Sequence, residues 1–447
     1  MGASAIRDQV SHVLRGFPMN TVQPRNSHRS PVLAILGSLV GGAGLAVVLL
    51  LGFASSGSEP VVTGSVLLAF GIGWAAMAAL TTRFSAQPQA WAAVPAAGLG
   101  SIGLGLILFQ PGPAAMDLLS WIWPPVLAAL AIWMVVQVRD HLRGRGRWLV
   151  VPVLATLFGF AAGGGLSTVG SVSVPGVQAA SGRMIDVGGH RLYLECTGSG
   201  GPVVVLQAGL GASSASWAEI APAVAGSTTV CAYDRAGHGR SEEADGPQDG
   251  IALATDLHTL LERAGVAGPY ILVGHSSGGP YVRAFAARYP DEVAGMVLID
   301  AQPADAFTSL PAYPGFYRGL KAVAVLSPSL ARVGLLGLFL GLPGDQSTPA
   351  AARGGRDEVL ALPAALQQAQ SLTSLGDRPL IVVTAGTGQQ AGWLPAQERL
   401  VGLSTNAVQR VVAAATHDSL ITSADAGASA QAILDLVAAI RAGTAVQ

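Results

Sequence analysis

The sequence has little charge and almost no lysine. Charged residues make up 11% of the 447 residues, and Lys321 is the one lysine beside 24 arginines. Ordinary soluble domains carry about 25% charge. With a mean hydropathy of +0.49, the composition excludes a disordered chain and argues against a chain that is soluble throughout. The net charge of −1 also leaves no basic surface typical of nucleic-acid binding.

Cysteine is equally scarce. The two cysteines, Cys196 and Cys231, are too few for a disulfide framework or for a cysteine-rich metal site. The sequence holds no cluster of cysteine and histidine, so we expect neither a metal nor an organic cofactor.

The few charges are unevenly distributed, which divides the chain in two. Residues 1–170 carry nine arginines and four acids, whereas the rest carries 16 basic and 22 acidic residues. We therefore expect a tail at 1–30, a transmembrane region at 31–170, a Gly/Ser/Val-rich linker at 171–182 and a second domain at 183–443.

The first half contains long apolar stretches. A helix needs about 20 apolar residues to cross a bilayer, and five stretches satisfy this: 31–54, 61–81, 89–109, 118–138 and 148–169. None holds an ionisable residue, which favours an anchor or scaffold over a transport path, while binding of a lipid or of a partner membrane protein stays open. The fourth stretch carries Trp121, Trp123 and the pair Pro124-Pro125, which predict a kink or interfacial aromatics.

Arginine positions predict the orientation of these spans. All nine arginines of this half lie in the tail or in the links after the second and fourth stretches: Arg7, Arg15, Arg25, Arg29, Arg83, Arg139, Arg143, Arg145 and Arg147. Because positive links stay in the cytoplasm, the N-terminus is predicted to be cytoplasmic. Five spans then place everything after about residue 170 outside the cytoplasm of a multi-pass cell-membrane protein, with membrane lipids as neighbours.

The second half alternates between strand and helix patterns. It opens with two short strands around Gly188-Gly189, a hairpin signal. Buried strands then alternate with helical segments as far as a helix over 424–441. This α/β pattern predicts a mostly parallel sheet covered by helices on both faces, and ligands bind at the carboxyl ends of such strands.

A nucleophile motif stands at one of these strand ends. The strand YILVG runs into Gly274-His275-Ser276-Ser277-Gly278-Gly279, followed by a helix. This is G-x-S-x-G in a strand–turn–helix context, which exposes the serine hydroxyl above the sheet. Ser276 is the predicted nucleophile.

Two further residues complete a predicted triad. A serine needs a base, and His417 directly follows the last predicted strand. An acid must orient that histidine, but the stretch after the penultimate strand contains no carboxylate. The strand before it ends at Asp300, which we predict as the acid, with Asp305 in reserve.

An oxyanion hole requires two backbone N–H groups. Ser277, directly after the nucleophile, is one predicted donor. Leu210, between Gly209 and Gly211 in the loop after the strand PVVVLQAG, is the other.

The order Ser276, Asp300, His417 and the segment Tyr233-Asp234-Arg235-Ala236-Gly237-His238-Gly239-Arg240-Ser241 resemble the esterase and lipase-like members of the α/β-hydrolase superfamily. The resemblance covers about 183–443 and not the apolar half. It implies a cap over 302–377 that shapes an acyl pocket. It also places Cys196 and Cys231 on neighbouring strands, where they form either a disulfide or two free thiols.

These observations predict a membrane-anchored serine hydrolase that cleaves carboxylic esters, on small or lipid-like substrates, through an acyl-enzyme. Two different functions stay open. The first is that of a catalytically silent hydrolase-fold sensor or partner-binding protein. The second is that of an aminopeptidase or a cofactor-free haloperoxidase of the same fold.

Overall fold

The computed structural model describes residues 31–53, 57–173, 182–341, 346–422 and 425–447. The predicted tail at 1–30, with its four arginines, and most of the predicted linker lie outside the described residues.

Long apolar helices form the first part of the chain. They are α1 (Pro31–Phe53), α2 (Glu59–Phe84), α3 (Ala93–Phe109), α4 (Pro113–Leu119), α5 (Trp123–His141) and α6 (Gly146–Ser173). Within the described residues, four helical segments are long and apolar enough to cross a membrane by length and composition, and the pair α4 and α5 makes a fifth candidate.

The break between α4 and α5 is where the fourth predicted stretch bends. The two helices differ in direction by 41°, as the Pro124-Pro125 pair predicts. The bend lies at residues 120–122, just before these prolines, because proline is tolerated in the first turn of a helix and not in its interior. Trp123 therefore begins a new helix.

Glycines allow the helices of this bundle to approach closely. A Cβ at Gly71 would stand 2.7 Å from the Cα of Gly100, and one at Gly103 would stand 2.6 Å from the carbonyl oxygen of Gly64. Helices without a side chain at the contact pack backbone against backbone, which is a common means of association for apolar helices.

An eight-stranded sheet forms the second part. Its strands are β1 (Arg183–Asp186), β2 (Arg191–Thr197), β3 (Val203–Gln207), β4 (Val230–Tyr233), β5 (Tyr270–His275), β6 (Val293–Ile299), β7 (Leu380–Ala385) and β8 (Ala407–Val412). The spatial order is β1-β2-β4-β3-β5-β6-β7-β8. The first two strands form the predicted hairpin, β2 is antiparallel to β4, and the other pairs are parallel, which confirms the predicted fold class.

Helices cover both faces of the sheet. They are α7 (Ile220–Ala225), α8 (Gly250–Ala264), α9 (Gly278–Arg288), α10 (Ala306–Ser309), α11 (Tyr313–Arg332), α12 (Leu336–Leu340), α13 (Pro349–Ala369), α14 (Trp393–Val401) and α15 (Ala426–Ala442). Buried side chains of α8, α9 and α14 pack on one face, and those of α7 and α15 pack on the other. Helices α10 to α13 lie between β6 and β7, in the segment predicted as the cap.

Candidate active site

Ser276 lies in a strained turn between β5 and α9. Its φ of 54° is in the left-handed region, which costs a non-glycine residue of order 1–3 kcal/mol and is concentrated at functional sites. A Cβ at Gly278 would stand 2.3 Å from the carbonyl oxygen of Gln207, so this position requires glycine. The turn is held by hydrogen bonds from Ser276 N to Ile299 O (3.2 Å) and from Gln302 N to Ser276 O (2.8 Å).

Asp300 follows β6 and is fully buried. Its Oδ1 accepts hydrogen bonds from Ala385 N (3.1 Å) and from Trp393 Nε1 (2.9 Å). Its Oδ2 accepts from His417 Nδ1 (2.6 Å) and from Gln389 Nε2 (3.2 Å). Four donors thus satisfy this carboxylate, and one of them is the predicted base.

Asp305, the reserve acid, lies elsewhere. Its carboxylate pairs with Arg399 at 3.1 Å, and both side chains are about half exposed. Of the two candidate acids, the structure therefore brings Asp300 and not Asp305 to His417.

The His417 ring lies beside the turn that carries Ser276. Its centroid is 4.6 Å from the ring of His275 and 6.0 Å from the ring of Trp393. Among the described residues no hydrogen bond joins the Ser276 hydroxyl to the imidazole, and catalytic hydrogen bonds are often loose before substrate binds. Since Nδ1 is engaged by Asp300, Nε2 is the ring nitrogen left for proton transfer.

His275 contributes a side chain that the sequence did not point to. Its Nε2 donates to the carbonyl oxygen of His417 at 3.1 Å. Burial, and secondarily the neighbouring His417, lower the pKa of His275 to about 4. A neutral His275 therefore packs against the candidate base near pH 7.

This shift predicts how stability depends on pH. Because the pKa of His275 falls from 6.5 to about 4 on folding, the unfolded chain binds the proton first, and stability is lost as the pH falls below 6.5. Linkage gives a loss of about 2 kcal/mol between pH 7.5 and pH 5. The melting temperature of the full chain in detergent should fall more over this interval than that of His275→Gln. Equal falls in the two proteins would contradict the assignment.

The two predicted oxyanion donors belong to the turn itself (Ser277) and to the loop after β3 (Leu210). Among the described residues, neither Leu210 N nor Ser277 N donates a hydrogen bond, whereas the next amide, Gly211 N, donates to Glu358 Oε2 at 2.8 Å. A Cβ at Gly209 would stand 3.0 Å from the Cβ of Ser276. The absence of a side chain thus lets the Leu210 loop approach the serine.

Apolar side chains from the cap line this region. Leu210 packs against a cluster contributed mainly by α10, α11, α13 and α14: Ala306, Phe307, Leu310, Tyr313, Tyr317, Leu362, Leu366, Trp393 and Ala396. Trp393 also binds Asp300, so one residue connects this apolar wall to the candidate triad. Trp393 and Gln389 were missed in the sequence because nothing in their spacing links them to Asp300.

Two further expectations concern cysteines and metals. Cys196 and Cys231 are paired in the register of β2 and β4, and they form a disulfide. In the described parts of the chain, no group of three or more histidine, cysteine or acidic side chains is placed to hold a metal ion.

The mostly parallel sheet, with its sharp turn at Ser276, defines an α/β-hydrolase fold. Residues 202–432 match the family described as alpha/beta hydrolase fold, and the chain belongs to that family. The apolar helices lie outside the matched range.

Similarity to individual proteins covers shorter segments. The chain is 40% identical over 104 residues to the bifunctional esterase/perhydrolase DCH of Acinetobacter calcoaceticus, which is 23% of this chain and 37% of the relative. It is 34% identical over 104 residues to an AB hydrolase superfamily protein of Gibberella zeae, which is 22% of this chain and 32% of the relative. The chain spans less than half of the length of the curated relatives that it matches.

A solved structure of similar fold is that of haloalkane dehalogenase DbeA from Bradyrhizobium elkani. It has 20% sequence identity and a TM-score of 0.49, and the match covers 59% of this chain and 99% of that one.

Proposed function

We propose that the protein is a serine hydrolase that cleaves carboxylic esters through an acyl-enzyme on Ser276. The observation that carries the proposal is the His417–Asp300 hydrogen bond of 2.6 Å, made beside a serine held in the left-handed region. An oriented imidazole beside a serine on a strained turn is the arrangement that acyl transfer requires.

Each step uses atoms of this site. The Ser276 hydroxyl attacks the ester carbonyl carbon, and its proton passes to His417 Nε2. The oxyanion that forms receives hydrogen bonds from Leu210 N and Ser277 N. When the intermediate collapses, the alcohol leaves with the proton from His417. Water then attacks the acyl group, gives a proton to His417, and releases the acid as Ser276 regains its hydrogen.

Asp300 supplies orientation and charge compensation. It fixes the tautomer with Nδ1 protonated and stabilises the imidazolium that forms during both transfers. Its four hydrogen bonds fix its position at the carboxyl end of β6.

The decisive experiment uses the full chain in detergent, treated with a fluorophosphonate probe and with short activated esters. We expect hydrolysis of the esters and covalent labelling, with Ser276→Ala abolishing both and Ser227→Ala, an exposed serine before β4, retaining both. A wild-type chain that neither reacts nor hydrolyses would contradict the proposal and favour the silent sensor. If peptides are cleaved at their N-terminal residue faster than the esters are hydrolysed, the protein is an aminopeptidase. Oxidation of halide would indicate a haloperoxidase.

We further propose that the bundle spans a membrane five times, with the hydrolase domain outside the cytoplasm. The two links that follow the second and fourth stretches meet at one end of the bundle, where Arg143 N donates to Gln87 Oε1 at 2.9 Å and Gln89 Nε2 donates to His141 O at 3.2 Å. The hydrolase domain packs on the opposite end, which lacks arginine in the bundle's own links. This separation of charge supports the predicted orientation, and a disulfide is compatible with an oxidising compartment.

A pair of C-terminal fusions tests this topology. Alkaline phosphatase, which folds only after export, should be active when fused after Gln447, whereas a cytoplasmic fluorescent reporter should be dark there. A truncated fusion after Arg145, in the link between α5 and α6, should give the reverse pattern. A fluorescent full-length fusion would contradict the five-span topology.

A further inference from the structure

Outside the candidate triad, the structure contains a second buried charge network, centred on Glu358 of α13. This side chain is 2% exposed. Its Oε1 accepts hydrogen bonds from Arg235 Nη2 and Tyr281 Oη, both at 2.9 Å. Its Oε2 accepts from Gly211 N at 2.8 Å and lies 2.9 Å from His238 Nε2. Burial alone would raise the pKa of Glu358, but Arg235 and His238 outweigh it and lower this pKa to about 2.

The partners of Glu358 fix the loop that carries Leu210. Arg235 donates to the carbonyl oxygens of Ala208 (2.8 Å), Gly209 (2.7 Å) and Ala212 (3.3 Å), and Glu358 itself holds Gly211 N. The backbone on both sides of Leu210 is thereby tied to one buried ion pair. Tyr281 lies on α9, the helix that follows Ser276, so the same carboxylate also contacts the nucleophile element.

The first turns of helix α13 form ion pairs with the apolar bundle. Arg353 is 4% exposed and pairs with Asp117 of α4 at 3.0 Å. It also pairs with Glu243 of the hydrolase domain at 2.8 Å and lies 3.8 Å from Glu59, the first residue of α2.

Arg332 at the end of α11 makes a second such contact. It pairs with Glu59 at 2.6 Å and donates to Met116 O at 2.8 Å. Of the groups that join the bundle to the cap, Arg332, Arg353 and Glu59 are nearly buried, where an unpaired charge is costly, whereas Asp117 is about half exposed.

The backbone of α13 is in direct contact with the loop after β4. A Cβ at Gly354 would stand 2.1 Å from the carbonyl oxygen of Gly237. The helix therefore touches the segment that carries Arg235 and His238 with no side chain between them.

We propose that Glu358 is a positioning residue for the loop that carries Leu210. We also propose that the bundle, through Glu59 and Asp117, fixes the position of α13, the helix that carries Glu358. The inference rests on the proposed serine hydrolase function. It assigns the bundle a part in building the active site in addition to anchoring it. The carboxylate does not touch substrate; it acts through Gly211 and Arg235 on the direction of Leu210 N–H.

A misdirected oxyanion donor has a characteristic kinetic effect. The misdirected donor stabilises the transition state less and leaves substrate binding nearly unchanged, so kcat falls while KM stays nearly constant. Loss of one donor typically costs about 10²–10³ in kcat. For Glu358→Gln, which keeps the shape and loses the charge that holds Arg235, we expect kcat to fall about 30-fold with KM changed less than about threefold.

The experiment compares variants of the full chain in detergent, each checked for a cooperative melting transition above the assay temperature. Glu358→Gln and the double variant Glu59→Gln, Asp117→Asn are the test proteins. We expect a smaller loss, about fivefold in kcat, for the double variant. In both, inhibition by a trifluoromethyl ketone, which forms a tetrahedral adduct, should weaken in proportion to kcat. The matched control Asp435→Asn breaks the surface pair with Arg410 and should stay within about twofold of wild type.

The outcomes separate this inference from the proposed function. If the wild-type chain fails to label at Ser276, the proposed function has failed. If it labels and turns over, but Glu358→Gln retains wild-type kcat or changes only KM, the positioning role is overturned. If the double variant retains wild-type kcat, the role of the bundle is overturned. Should Glu358→Gln fail to fold, Glu358→Asp, whose shorter side chain loses the contact with Gly211 N, takes its place, and an unchanged kcat in that variant overturns the positioning role.

Discussion

Replacing Asp300 by asparagine should lower kcat by about a thousandfold or more. Oδ1 of Asp300 accepts from the backbone amide of Ala385 and from the Trp393 indole, neither of which can become an acceptor. The amide oxygen of asparagine must therefore take the Oδ1 position, and its NH₂ must face His417. His417 Nδ1 then has to accept, which moves the ring proton to Nε2 and removes the base that Ser276 needs.

The measurement is steady-state hydrolysis of an activated ester by the full chain, with Asp305→Asn as the matched control. Asp305 forms an exposed pair with Arg399, so its replacement should leave kcat within about twofold of wild type. A large loss in Asp305→Asn and a small one in Asp300→Asn would show that the acid is misassigned.

The second large effect is expected for His417→Ala. Removing the proton acceptor should reduce kcat by at least about a thousandfold, since the members of a triad act as a unit. The double variant His417→Ala, Ser276→Ala should be scarcely worse than either single variant. The control is His258→Ala. His258 lies on α8 and pairs with Glu292, away from the candidate triad, so this variant should retain activity. Losses that multiply in the double variant would contradict a shared mechanism.

The residues that follow strand ends could be predicted from the sequence because topology alone positions them. Asp300 follows β6, Ser276 follows β5 and His417 comes shortly after β8, so a parallel sheet brings all three to one edge. The stretch after β7 contains no carboxylate, and Asp300 stays the predicted acid: β6 lies between β5 and β7, and Asp300 at its carboxyl end contacts His417.

The supporting side chains could not be predicted, because they depend on packing between remote segments. Trp393 and Gln389 bind Asp300 from about 90 positions away, and Glu358 reaches Gly211 across 147 positions. No periodicity or motif in a single sequence relates such pairs. The motif that contains His275 gives no indication that its ring packs against His417.

The apolar half shows the same limit. Hydropathy located the helices, and Pro124-Pro125 indicated the bend between α4 and α5. The pairing of Glu59 and Asp117 with cap arginines more than 200 positions away had no signal in composition, since both acids lie at the ends of apolar stretches.

The central claim is that hydrolysis passes through an acyl-enzyme, in which the acyl group is esterified to the hydroxyl oxygen of Ser276. It is tested most directly by mixing the full chain with a p-nitrophenyl ester for milliseconds, quenching in acid, and locating the acyl group by mass spectrometry of the digested protein. We predict an adduct with the mass of the acyl group on the peptide that contains Ser276, and none in Ser276→Ala. Turnover with an unmodified Ser276 peptide, or with the acyl group on another residue, would contradict it.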